Sequence, residues 1–235
     1  MSVTDVGDHL RQARQNRQAQ RRLLDQLDGQ VRQRKSEVDS SLADLPTSQR
    51  GTLVNRAVSG FRGELKRSSS ESRTRHVREA ARLWGEAREA KDHYRSSVQF
   101  LMRASLGSER RSRLLHQIET SGAAELASLA ELAAATRDLE LGAALCSKVS
   151  SLPPSERPFS QQDLADALVG DEHRGVNLAL MELERLAEEA AADETAFERG
   201  SPDPIRILTI AHMAKAAAEF AEGMTQPQDI EGEDQ

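Results

Sequence analysis

The chain has 235 residues, of which 37% are hydrophobic, 3% aromatic and 30% charged. That excludes a single thick core and suits long helices that each bury a narrow stripe, because a coiled-coil seam needs only about two apolar residues in seven. The net charge of −6 divides unevenly: residues 1–120 hold 24 Lys+Arg against 15 Asp+Glu, and residues 121–235 hold 8 against 23, so a basic half and an acidic half can attract each other within a chain or between copies.

The first helix carries a heptad whose a positions are Val3, Leu10, Arg17, Leu24, Val31, Val38 and Leu45. Its d column, Val6, Ala13, Gln20, Leu27, Arg34 and Ser41, is weaker but keeps the phase. Arg17 falls on the seam, where a charge lowers stability but restricts register. Arg11, Arg14, Arg21 and Arg22 fall on flanking or outer positions, and with Arg32, Arg34 and Lys35 they are the candidate anion-binding residues, able to track phosphates or a lipid surface by charge alone. No aromatics interleave them for base stacking, so a solvated coiled-coil exterior paired with acidic neighbours is the favoured reading.

Pro46 ends that helix, and a second begins near Thr47 with Leu53, Val54, Ala57, Val58, Phe61 and Leu65 on one face. "KRSSSES" reads as a connection after it. A further seam runs Val77, Ala80, Trp84, Ala87, Lys91, Tyr94, Val98, Leu101; the large rings of Trp84 and Tyr94 call for three or more helices packing there. Gly107 is a candidate C-cap and Ser108 the next N-cap.

Residues 108–152 read as three short helices, with Gly122 and Gly142 as candidate breaks, and "SLPPSERPF" interrupts the chain again. Ser160 with Asp163 three residues on forms a capping box that opens a short helix to about Leu168, followed by a longer one from about Arg174 to Phe197. "RGSPDP" separates a last helix from Ile205 to about Glu222, and the acidic tail 223–235 reads as disordered. The spacing of Leu164, Ala165, Leu168, Val176, Leu180 and Leu183 within 159–186 resembles the helix-turn-helix core of winged-helix regulators. That resemblance implies DNA binding, with Arg174 and Asn177 as base-contact candidates. It covers about 28 residues, needs an extra residue in the turn, lacks a β-wing and sits among acids that a duplex would repel.

Other chemistry is sparsely indicated. The six histidines show no metal-ligand spacing, and the carboxylates of "MELERLAEEAAADE" spread around their helix as a solvated face rather than a catalytic pair. Cys146 is the only cysteine and reads as a small buried apolar residue. No apolar run approaches the length that spans a bilayer, and no phosphate loop or nucleophile motif appears.

These readings converge on an all-α chain: a basic, elongated helical or coiled-coil region over 1–106, a more compact acidic helical region over 107–222, and a tail. The expected function is that of a non-enzymatic structural or adaptor protein without cofactors, located in the cytoplasm or in an assembly built there. It would self-associate through Leu10, Arg17, Leu24, Leu27, Val31, Val38, Leu45, Trp84 and Tyr94 and dock other proteins, with at most weak contact to nucleic acid or anionic surfaces. Scaffold and virion proteins of tailed phages share this profile. DNA-binding regulation through 159–186 is the alternative.

Overall fold

The computed structural model describes residues 2–222, and the tail expected at 223–235 lies outside them. The described residues form helices without strands: α1 (Val3–Ser41), α2 (Thr47–Lys91), α3 (Ser97–Ala104), α4 (Glu109–Gln117), α5 (Ala123–Thr136), α6 (Leu139–Ser150), α7 (Gln161–Arg199) and α8 (Pro204–Glu222). Short 3-10 turns occupy Asp92–Tyr94 and Pro154–Glu156.

Two N-caps fall where the sequence puts them, whereas the C-cap of α3 is Ser105 and not Gly107. The Ser108 hydroxyl accepts from the Arg111 amide at 3.2 Å, and Ser160 accepts from the Asp163 amide at 3.2 Å. Each supplies an acceptor to an amide that the first turn of a helix leaves unpaired. Gly107 takes φ +78°, a left-handed conformation open to glycine without strain from a Cβ.

Three expected helix boundaries, in α2, α3 and α7, differ from those found, for identifiable reasons. The serine-rich connection does not exist, since α2 runs through it. The hydroxyls of Ser69 and Thr74 bond back to the carbonyls of Leu65 and Ser70, at 2.6 and 2.7 Å, so polar side chains that often break a helix here follow its own turn. The run from Val77 to Leu101, conversely, is interrupted at 92–96 between α2 and α3. Third, the turn required by a helix-turn-helix is absent: Gly170 and Gly175 lie inside the uninterrupted α7, whose stripe of Leu164, Leu168, Val176, Leu180 and Leu183 is buried along its length.

The chain forms two compact units, each drawn from two stretches: residues 2–6 with 86–180, and residues 7–85 with 181–222. In the first unit the centre is α6, which buries seven residues from Leu141 to Val149 and packs against α3, α4 and α5. Gly142 is no break. It lies within α6 and is buried, and a Cβ there would come within 2.2 Å of Leu168 Cδ1, so the Leu168 side chain fills the space that the missing Cβ leaves.

Cys146, on the same helix, is 1% exposed, and burial pushes its thiol up to about 11. Around this core Arg111 donates to the Met102 carbonyl and to Ser147, and Arg110 pairs with Asp138 and Glu140. Tyr94 is buried against Phe100, ring centroids 5.5 Å apart, and Phe100 meets the edge of His173. Asn177 and His173 both turn inward to the Tyr94 carbonyl, and Arg174 pairs with Asp171. The two base-contact candidates are therefore engaged within their own unit.

Candidate functional site

The second unit is organised by arginines. One apolar cluster gathers Leu24, Leu27 and Phe197 with Leu23 and Leu65 packed against it, and Val54, Leu83, Leu183, Leu186 and Ala190 are also buried in this unit. Alongside lie Arg17 at 5% exposure, Gln20 at 0% and Arg73 at 0%. A charge this far from water needs a counter-charge and filled hydrogen bonds, or the fold does not tolerate it. The acidic turns of α7 supply both.

On α1, Arg17 reaches Asp193 at 2.5 Å, Glu189 at 3.4 Å and Gln20 Oε1 at 3.0 Å, and the Gln20 amide donates to the Ala190 carbonyl at 2.9 Å. Arg14 clamps Glu182 through two bonds, at 2.5 and 2.8 Å, and Arg21 meets Glu189 at 2.9 Å. Glu189 also receives Arg185 from one turn earlier on α7, so three guanidinium groups converge on one buried carboxylate. On α2, Arg73 donates to Ser69 Oγ and the Lys66 carbonyl, each at 2.9 Å, pairs with Glu194 and Glu198, and stacks 4.6 Å over the Phe197 ring.

The electrostatics follow from these contacts. Hydrogen bonds from Arg14 hold Glu182 below the ordinary carboxylate range. Glu194 moves the other way, because burial outweighs the Arg73 charge, and its Oε2 is buried without a hydrogen-bond partner. Recognition between helices is what this arrangement performs: Arg14, Arg17 and Arg21 of α1 meet the carboxylates from Glu182 to Asp193 of α7 in one register. Among the described residues no group of three or more His, Cys, Asp or Glu side chains could hold a metal ion, and no helix is long and apolar enough to cross a membrane.

The expected seam residues are thus distributed. Leu24 and Leu27 pack on Phe197, Arg17 pairs with α7, Leu10, Val31 and Val38 are half-buried, and Leu45 is exposed. Trp84 is half-buried in the second unit and Tyr94 buried in the first. Of the anion-binding candidates, Arg14 and Arg21 hold α7 carboxylates, Arg11 pairs with Asp8 at 3.0 Å, and Arg22 is exposed. The Arg14 and Arg21 side chains nonetheless remain more than half exposed.

Two members of the site carry weaker sequence signals. Gln20 was legible as a polar d residue one turn from the polar a residue Arg17. Arg73 was hidden by the serine run that reads as a connection. Searches with this chain match no family model, no curated protein and no solved structure.

Proposed function

We propose that the chain is a non-enzymatic structural or adaptor protein that self-associates through a helical face within a larger assembly. The observation that carries this reading is α8. It buries no residue, while Ile205, Ile207 and Leu208 are 75%, 52% and 70% exposed. Apolar surface gathered on one helix is stabilised by covering it, and a partner helix does so with the least loss of backbone hydrogen bonding to solvent. The α1 seam, to which the sequence assigns self-association, is largely occupied by α7 and the Phe197 cluster. The role of assembly surface therefore passes to α8. A scaffold or virion component of a tailed phage is the kind of assembly this architecture serves.

The test is the mass of the full-length protein by light scattering or native mass spectrometry. The wild type is expected to be oligomeric, and Ile207→Glu with Leu208→Glu is expected to reduce the particle to one chain without loss of helical circular dichroism. A wild type of one chain per particle at about 100 μM overturns the reading.

A further inference from the structure

A cleft of about 290 Å³ opens in the second unit beside the Phe197 ring, lined by Leu24, Asp25 and Asp28 of α1, Arg62 of α2 and Gly200 at the end of α7. This volume is near the lower end of ligand sites and suits a molecule of amino-acid size. Leu24 and Phe197 form its apolar floor, and of its four charged groups Asp25, Asp28 and Arg62 are those that the arginine network leaves out.

Arg62 differs from Arg17 and Arg73. Those two are fixed by carboxylates and by several hydrogen bonds. Arg62 makes no ion pair among the described residues. Its guanidinium lies 5.9 Å over Phe197 and close to Gly200, where a Cβ would stand 3.8 Å from both Nη atoms. Its Nε is buried without an acceptor, so stacking alone holds the group and the two Nη groups keep their donors. Gly200 sits at φ +83°, which a side chain adopts only with strain, so glycine is the residue that suits the turn beside the guanidinium.

On the α1 side, Asp25 and Asp28 are one turn apart, exposed, and likewise without an ion pair among the described residues. Asp193, which also lines the cleft, is neutralised by Arg17. The cleft therefore presents an unpaired guanidinium fork and two unpaired carboxylates around an apolar floor. A plain anion meets Arg62 but is repelled by Asp25 and Asp28. A plain cation leaves Arg62 without its acceptor.

We propose that this cleft binds a carboxylate carrying a cationic group a few ångströms away, the chemistry shared by a free basic amino acid and by the last residue of a polypeptide ending in lysine or arginine. The carboxylate accepts from the two Nη groups of Arg62 in the fork geometry that arginine offers. The cation pairs with Asp25 and Asp28, and the aliphatic stem between them covers Leu24 and Phe197. This inference does not depend on self-association, and its readout is ligand affinity rather than particle mass.

Calorimetric titration of the full-length protein tests it with four probes: L-lysine, Nα-acetyl-L-lysine, acetate and butylamine. Both lysine compounds are expected to bind at least about tenfold more tightly than acetate or butylamine. Equal or tighter binding of the acetylated compound assigns the site to a chain end, and tighter binding of free lysine assigns it to the amino acid.

Arg62→Lys keeps the charge but removes the fork, and should weaken both lysine compounds about tenfold. Asp25→Asn with Asp28→Asn, at exposed positions that leave folding intact, should erase the preference of the site for lysine over acetate. The proposal is overturned by acetate binding as well as lysine, by affinity unchanged in either variant, or by no heat of binding from any probe at about 10 mM.

Discussion

The two units bury different matter. The first closes around α6 with Ala143, Ala144, Leu145 and Val149, none of them measurably exposed, and its ion pairs, such as those of Arg110, lie at the surface. The second buries Arg17, Gln20 and Arg73 beside its apolar residues, which include Leu83, Leu183 and Ala190. Apolar packing is non-directional and tolerates rotation of one helix against another. A buried guanidinium tolerates little, because each misplaced carboxylate leaves an uncompensated charge. The comparison teaches that a chain poor in aromatics can fix helix register in one region by shape and in another by charge.

The contrast breaks most visibly at Arg73. Arg73→Leu removes a fully buried cation and leaves Glu194 and Glu198 facing each other, so the second unit should lose about 3–5 kcal/mol of stability by denaturant titration. Arg17→Leu should lower the melting temperature by less, since Glu189 keeps Arg21 and Arg185 and Asp193 reaches solvent. A raised melting temperature in either variant would mean that aliphatic packing was available to this interior all along.

The first unit has the opposite sensitivity. Gly142→Ala adds a methyl group where Leu168 stands, so a substitution that favours a helix by propensity should destabilise by about 1–2 kcal/mol here. Unchanged or increased stability would show that Leu168 swings aside and that the close approach is not required.

Acid titration sharpens the comparison with the smallest effects. Glu182 is depressed in the fold, so its contribution is present at neutral pH and is lost as pH falls through the depressed value, below the ordinary 4.5. Glu194 is raised, so its contribution is fully present below the ordinary 4.5 and is lost as pH rises through the raised value. Glu194→Gln should therefore flatten the stability profile above 4.5, and Glu182→Gln below it, each by about 1–3 °C in melting temperature. Identical profiles in wild type and both variants would place the acid sensitivity elsewhere.

The helical class was legible because the heptad from Val3 to Leu45 and the caps at Ser108 and Ser160 are local signals. The extents of α2 and α7 were not, because Ser69 and Gly170 are breakers by propensity that tertiary burial overrides. The pairing of Arg17 was half legible: its seam position was read from the spacing, but the acids that meet it lie about 170 residues away. Charge asymmetry between the halves pointed to that attraction without saying which turns would meet. Nothing local marked the cleft at Arg62, because it arises only when α1, α2 and the end of α7 come together.

Cys146 gives this chain a built-in reporter. A thiol reacts with alkylating reagents as the thiolate, and a group that is 1% exposed and titrates only near 11 in the native state is silent at neutral pH. Reaction then requires α6 to open, so the rate of labelling measures the opening equilibrium of the first unit alone. The second unit has no cysteine, so the same alkylation clock leaves its arginine-held interior unread, and the two modes of stabilisation become separable within one unmodified polypeptide.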